Sequence, residues 1–417
     1  EHFYVITEPM KDLPKNLPVL RDYNNCLYLK EDAGKMLVGI FEPNAKPAFK
    51  STGVVPDDFS FGELPDDFDH FEPYLQKSFH RLPMLENAGI RKFFSGPESF
   101  TPDTQYLLGE TPEIKKLFTC CGFNSIGIAS SGGAGRVTAE WMINGHINED
   151  LFSLDIKRFQ KFHSSKKFIM ERVTETLGDL YGMHWPFKQH KTSRNQIILP
   201  YQEELKKLGA CFGTSGGFER PMWYALKGEK ADYKYSFGYQ NWYPSAEYET
   251  KNTRENVGLF ELSPFSKFDL EGQNVHEELQ KICTANIKDI EGRATYTQML
   301  NEDGGIETDV TITCLKKNHF RVIGPAATRE HDKFHIKKHI SQEVNLKDVT
   351  EDLTCLGLYG PNSRKLLSNI SNDDFSNEGI KFSHGKLVTI DGISVWAQRL
   401  SYVGEIGFEL YANIDES

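Results

Sequence analysis

The residues able to do chemistry fall into a few patterned segments. Ile306 to Thr313 alternates, with Ile306, Thr308, Val310 and Ile312 on one strand face and Glu307, Asp309, Thr311 and Thr313 on the other. Aspartate has poor strand propensity, so Asp309 reads as a carboxylate placed to orient or receive a proton. A plain solvated face is the stronger reading on the residues alone. Ser401 to Glu409 sets Tyr402, Glu405 and Glu409 around Gly404 and Gly407. Glycines allow close approach and a carboxylate can pair with the N–H edge of a heterocycle, although a kinked strand with exposed acids accounts for the pattern equally well. Leu117 to Cys121 reads as a buried strand and Gly122 to Gly135 as a glycine-rich loop containing Ile128, Ala129, Ser130 and Ser131. Arg136 to Asn144 then reads as a helix stopped by Gly145. Backbone N–H groups gathered at a positive helix end suit an anion or an electron-rich ring, while glycines also serve tight helix–strand packing. His331, His335 and His339 recur at the helical spacing of paired zinc ligands. Lys333, Lys337 and Lys338 surround them and no motif supplies a carboxylate ligand, so the expectation is a solvated helix face and no metal. His2 and Tyr28 lie on separate short strands with no motif spacing.

Those residues need elements to hold them. Short strands are expected at Phe3 to Thr7, Cys26 to Leu29 and Met36 to Phe41. Phe68, Phe71, Leu75, Phe79 and Leu82 form a helical stripe that Pro83 should end. Further helices are expected over Ser165 to Leu180 and Gln202 to Leu208. From about 210 the texture becomes α+β, with strands near 266–270, 296–300, 306–315, 320–323, 354–359, 387–390, 393–400 and 406–411 and a helix near 327–341. Asn301 to Gly305 should close a hairpin.

Composition narrows the function. The 417 residues hold 48 Lys and Arg against 59 Asp and Glu, a net charge of −11, which excludes a typical nucleic-acid binder. Hydrophobic residues at 39% and aromatics at 12% suffice for two or three packed domains. No apolar run approaches the roughly 18 residues of a membrane-spanning helix. Seven cysteines without a C-x-x-C pair suggest reduced thiols, with Cys120 and Cys121 as buried small hydrophobes. Glu1 at the start and strand-like runs at both ends lead to the expectation that the chain is cut from a longer protein.

Several segments together resemble the flavin-dependent dimethylglycine and sarcosine dehydrogenases and oxidases. They are His2-Phe-Tyr-Val-Ile-Thr-Glu8, Leu17-Pro-Val-Leu-Arg-Asp22, Gly39-Ile-Phe-Glu-Pro43, Gly96-Pro-Glu-Ser-Phe-Thr-Pro-Asp103 and the glycine segment up to Trp141. Gly217-Phe-Glu-Arg-Pro-Met-Trp223, Leu262-Ser-Pro-Phe-Ser-Lys267, Gly304-Gly-Ile-Glu-Thr-Asp309 and Ser401 to Glu409 complete the series. The pieces follow family order over essentially the whole chain.

The resemblance implies an α/β plus α+β architecture in three parts. Residues 1–148 would be the second half of a D-amino-acid-oxidase-type FAD domain, 149–205 a connector, and 206–417 the first part of an aminomethyltransferase-like, folate-binding domain. The dinucleotide fold holding the ADP half of FAD and the distal folate domain would lie outside the chain, so this stretch alone should hold FAD weakly. The implied activity is oxidative demethylation of a small N-methyl amine, with electrons leaving to electron-transfer flavoprotein or oxygen and the one-carbon unit passing to tetrahydrofolate. By position His2 and Tyr28 would assist at the amine, Ile128, Ala129, Ser130 and Ser131 would lie beside the flavin ring, and Asp309 would handle a proton. Tyr296 and Tyr402 would contact folate, and Glu409, or less favourably Glu405, would pair with the pterin edge. The family implies a cytoplasmic location in a bacterium or the mitochondrial matrix in a eukaryote, with neither a nucleic-acid nor a membrane partner. The competing readings are a non-catalytic relative, like the regulatory subunit of pyruvate dehydrogenase phosphatase, and a folate-dependent aminomethyltransferase.

Overall fold

The computed structural model describes residues 1–417. The chain divides into two compact units. The first unit takes residues 1–109, 118–139 and 161–193, and the second takes 110–117, 140–160 and 194–417.

In the first unit, five strands form one antiparallel sheet: β1 (His2–Thr7), β2 (Leu20–Asp22), β3 (Leu27–Asp32), β4 (Lys35–Ile40) and β5 (Ile90–Gly96), in the order β2-β3-β4-β1-β5. Alternation drives one face inward: Phe3 and Val5, Leu27 and Leu29, and Met36 and Val38 are buried. They share a core with Phe71 and Leu75 of α1 (Phe68–Arg81), the apolar stripe legible in the sequence. Asp67 caps α1 by accepting the His70 N–H, and Pro83 opens a separate 3₁₀ turn just beyond it. His2, Tyr4 and Tyr28 occupy the alternate positions, on the opposite sheet face.

Two expectations in this unit fail for identifiable reasons. β6 (Leu107–Glu110) and β7 (Phe118–Cys121) form only a two-stranded ribbon, so Cys120 and Cys121 are exposed. The following helix, α2, runs from Gly127 to Asn144, so the loop shrinks to residues 122–126 and Ile128 to Ser131 form the first turns of the helix. Glycine's low helix propensity argued for a longer loop. Ala134, Val137 and Thr138 nevertheless bury one stripe, and that packing overrides it. The connector contributes α3 (Lys166–Gly178) to this unit.

The second unit opens with α4 (Gln202–Lys207), a hairpin of β8 (Ala210–Ser215) and β9 (Phe218–Tyr224), α5 (Tyr243–Glu255) and β10 (Gly258–Glu261). β11 (Ser266–Glu271), α6 (Val275–Ile282), β12 (Ala294–Leu300), β13 (Ile306–Lys316), β14 (His319–Gly324), α7 (Arg329–His339) and β15 (Asn345–Asp348) follow. The strands among these build a sheet in the order β12-β13-β14-β11-β15, whose Phe268, Ile312, Phe320 and Val322 pack with Leu279 of α6 and Ile336 of α7. β16 (Leu353–Tyr359), α8 (Ser363–Ile370), β17 (Gly385–Ile390), β18 (Ile393–Gln398) and β19 (Gly407–Asn413) complete the unit. With β10 they form a second antiparallel sheet, β10-β16-β19-β18-β17, whose core joins Leu358, Phe408 and Ala397 to Leu367 of α8. Burial along β13 alternates through Thr308, Val310 and Ile312, but Ile306 is 69% exposed. A register shift opposite it, between Met299 and Leu300, ends the expected face one pair early. No helix is long and apolar enough to cross a membrane.

Phe320 is fully buried in the core of its sheet, whereas Leu387 on β17 is 65% exposed. Phe320→Ala should lower stability by about 3–5 kcal/mol and Leu387→Ala by less than about 0.5 kcal/mol. Urea unfolding of each variant checks both, and equal midpoints would refute this core.

Candidate functional site

The first unit joins His2 and Tyr28, which sequence spacing did not connect. Tyr28 lies opposite Gly39 on β4, and Gly39 lies opposite Tyr4 on β1. Two strand spacings, about 9.5 Å, separate β3 from β1, so the phenol must lie flat across β4 to reach His2. Only glycine permits this, because a Cβ at residue 39 would sit 2.0 Å from the ring. The Tyr28 hydroxyl then meets His2 Nε2 at 2.7 Å. On the other side of the imidazole, Nδ1 meets Glu98 Oε2 at 2.5 Å. Phe41 packs against both rings, with centroids 4.7 Å from His2 and 5.6 Å from Tyr28.

Electrostatics assigns the protons along this chain. Burial raises the Tyr28 phenol well above its ordinary value, and the nearby Glu98 charge adds to the effect, so the hydroxyl keeps its proton. Burial would also lift the Glu98 carboxyl, but hydrogen bonds from His2 and Ser125 outweigh it and hold Glu98 below the ordinary range, hence ionised. An ionised Glu98 accepts from Nδ1–H, which leaves Nε2 to accept from Tyr28. The arrangement is a three-member proton relay.

The relay opens onto a cavity of about 410 Å³ lined by Tyr4, Phe59, Phe61 and Phe94 as well as His2 and Tyr28. Aromatic faces around a polar relay suit a methylated cation. Ser125, which helps hold the Glu98 carboxyl down, lies two residues before α2, so the relay approaches the start of the segment matched to the flavin. On that helix Ile128 is 99% exposed, and a Cβ at Gly132, Gly133 or Gly135 would meet nothing within 4 Å. Its first turn carries no acid. An open, smooth, uncharged helix face beginning at a positive helix end fits a flat electron-accepting ring.

In the second unit Tyr296 donates to Asp309 Oδ2 at 2.6 Å. Tyr296 faces Thr311 across the ladder, so this is a diagonal contact between neighbouring strands. The bond raises the Tyr296 phenol, and the Tyr402 phenol contributes in the same direction. Tyr296 and Tyr402 are both largely exposed, two aromatic faces beside a carboxylate. The two glutamates matched to the pterin edge are already engaged. Glu409 accepts from Tyr411 at 2.5 Å and Tyr359 at 3.3 Å, and burial raises its carboxyl despite those bonds. Glu405 pairs with Arg254 at 2.7 Å.

The histidine stripe on α7 is a correction. His335 is buried and His331 is largely covered, because α7 packs that face over the start of β13. His331 Nε2 meets Glu307 at 2.9 Å and its Nδ1 meets Asp332 at 3.2 Å. Burial alone would discharge the ring, but the two carboxylates outweigh it and push His331 up to about 9. Charged side chains elsewhere on α7 masked the partner Glu307, which comes from β13. Glu175, Asp179 and His190 of the first unit also bring ligand atoms within 4.8 Å, with Lys188 already against Asp179 at 2.6 Å.

Sequence reasoning missed Glu98 and Gly39. The available signals were an acid at the end of β5 in Gly96-Pro-Glu-Ser and an isolated glycine inside a strand.

Residues 1–141 match the FAD dependent oxidoreductase family, 144–197 the FAD dependent oxidoreductase central domain, and 201–417 the GCVT N-terminal domain. A 4-methylaminobutanoate oxidase (formaldehyde-forming) of Paenarthrobacter nicotinovorans is 39% identical over 416 residues, covering 100% of this chain and 50% of its own. The mitochondrial sarcosine dehydrogenase of Mus musculus is 33% identical over 452 residues, covering 98% of this chain and 48% of its own. The mitochondrial pyruvate dehydrogenase phosphatase regulatory subunit of Mus musculus is 33% identical over 431 residues, covering 100% and 48%. This chain spans about half the length of the curated relatives it matches. Fold and site together define a flavin-type oxidoreductase domain joined through a central domain to an aminomethyltransferase-like domain. The chain belongs to the GCVT N-terminal domain family through residues 201–417, and residues 1–197 match the two FAD dependent oxidoreductase models.

The His331 cluster has a pH signature. An unfolded histidine titrates near 6.5, so a folded value of about 9 contributes stability that is complete below pH 6.5. That contribution, about 3 kcal/mol, should be lost as pH rises through 9. Urea unfolding from pH 6 to 10 should show this decline, and His331→Gln should flatten it. A slope unchanged in the variant would refute the assignment.

Proposed function

We propose that the protein containing this chain oxidatively demethylates a small N-methyl amino acid using FAD, and passes the one-carbon unit to tetrahydrofolate. The observation that carries the first half is the Glu98–His2–Tyr28 relay beneath an aromatic-lined cavity. Bound against α2, FAD would accept the hydride that leaves the N-methyl carbon. Everything else falls to the chain's own residues.

An N-methyl amine enters as an ammonium ion, which Tyr4, Phe59, Phe61 and Phe94 would hold through their ring faces. It must lose a proton before it can donate hydride. The Tyr28 oxygen accepts that N–H as its own O–H passes to His2 Nε2, so no free phenolate forms. The imidazolium thus created lies between Tyr28 and the Glu98 carboxylate, which stabilises it. Histidine suits this task because its charge changes near neutral pH. In the second unit, Tyr296 and Tyr402 offer ring faces to a pterin and Asp309 a carboxylate for proton transfer as the one-carbon unit joins folate. With Glu409 held by two tyrosines and Glu405 by arginine, Asp309 is the acid of the set that we assign to this chemistry.

Anaerobic flavin absorbance of the full-length protein, mixed in turn with sarcosine, dimethylglycine and 4-methylaminobutanoate, tests the reading. One of them should bleach the flavin rapidly, and no bleaching by any would sink it. His2→Ala, Tyr28→Phe and Gly39→Ala should each slow bleaching by about 10²-fold or more, the last by displacing the Tyr28 ring. Asp309→Ala should leave bleaching intact and impair methylene-tetrahydrofolate formation. Equal damage to both steps would count against two separate sites.

A further inference from the structure

A second cavity, of about 520 Å³, lies entirely within the second unit, between α7, the start of β13 and residues 146–152. Neither the relay nor the Asp309–Tyr296 pair lines it. His335 does, and it is only 6% exposed, yet its Nε2 has no hydrogen-bond partner. A buried polar nitrogen left unsatisfied at a cavity wall is costly unless something in the cavity meets it.

The walls define what that occupant should be. Lys157 shows how the pocket treats an ammonium group: its Nζ lies 4.9 Å from the Trp141 ring centroid, 4.8 Å from that of Phe334 and 2.9 Å from Asp155. Three cations of the lining are matched by three acids: Lys157 with Asp155, His331 with Glu307, and Lys338 with Glu302. Glu110, Glu149 and Asp150 also line it, each with a partner of its own, and the lining holds no further lysine or arginine. Of these, Glu110 and Asp150 are met by backbone N–H groups, from Lys116 and Phe152. Burial lowers the His335 pKa, and the His339 charge adds to this, so the ring is neutral and can offer Nε2 as an acceptor. The cavity therefore combines excess negative charge, aromatic walls and a free buried acceptor.

We infer that this cavity is a binding site for a small alkylammonium ion, with His335 Nε2 accepting its N–H and the rim carboxylates supplying the countercharge. The site goes beyond the demethylation reading and does not depend on it. It lies on the same strand as Asp309, with Glu307 two residues away.

Ile306 lines the cavity and is 69% exposed, so its substitutions leave the core untouched. Isothermal titration of the full-length protein with methylammonium chloride, against sodium chloride and sodium acetate controls, should show saturable binding of methylammonium alone. Ile306→Arg should weaken it about tenfold or more by charge repulsion, while Ile306→Glu should preserve or tighten it. His335→Phe, which keeps the ring and removes the acceptor, should also weaken it about tenfold. Both Ile306 variants should bleach their flavin with the N-methyl substrate as the unchanged protein does, which separates this site from the relay. Affinity equal in Ile306→Arg and Ile306→Glu, acetate binding in place of methylammonium, or no saturable heat would overturn the proposal.

Discussion

The first unit depends on one steric allowance, the missing side chain at Gly39. Because β4 separates β3 from β1, a side chain on β3 reaches β1 only by lying across the strand between them. Gly39 clears that path, and the half-buried Tyr28 ring occupies it. Everything downstream inherits this geometry: the hydroxyl arrives at His2, and the imidazole is turned by Glu98. The opposite sheet face supplies the rigidity, since Phe3, Leu27 and Val38 alternate with the functional residues and lock the register through the core.

The relay also shows why burial can serve proton transfer without making an anion. A phenol pushed upward keeps its proton and does not exist as a free phenolate base, and the Glu98 charge strengthens that hold. As a conduit, however, it needs only to exchange one O–H for another, and the charge settles on the imidazole beside a carboxylate. The hydrogen bond that lowers Glu98 is the same one that selects the histidine tautomer.

In the second unit the acids divide by surroundings. Asp309 stands on the exposed side of β13 with one tyrosine donor, whereas Glu409, on β19, is enclosed and satisfied by two. Glu307 shares the strand with Asp309 but serves to hold His331 charged. Identical chemistry in a sequence motif thus becomes a candidate proton handler, a buried anchor and half of an ion pair, according to what packs against each.

Much was legible in the sequence because it depends on local period and order. The alternation of β1 and β13, the apolar stripe of α1 and the hairpin at Asn301 to Gly305 all follow from residues near one another in the chain, as does the family order of the motifs. What could not be read were pairings across the chain: His2 with Glu98, Tyr28 with the space above Gly39, and the α7 histidines with Glu307. Periodicity says which face a side chain takes but not what the opposing element brings to it. Glycines 132, 133 and 135 mark the same boundary, since low propensity argued for loop and the buried stripe through Ala134 and Val137 made a helix. The sequence by itself determined the elements, their amphipathic faces and the family to which the chain belongs. Tertiary structure alone decided which acid meets which base, because a hydrogen bond depends on distances of a few tenths of an ångström between residues such as Arg254 and Glu405, 151 positions apart.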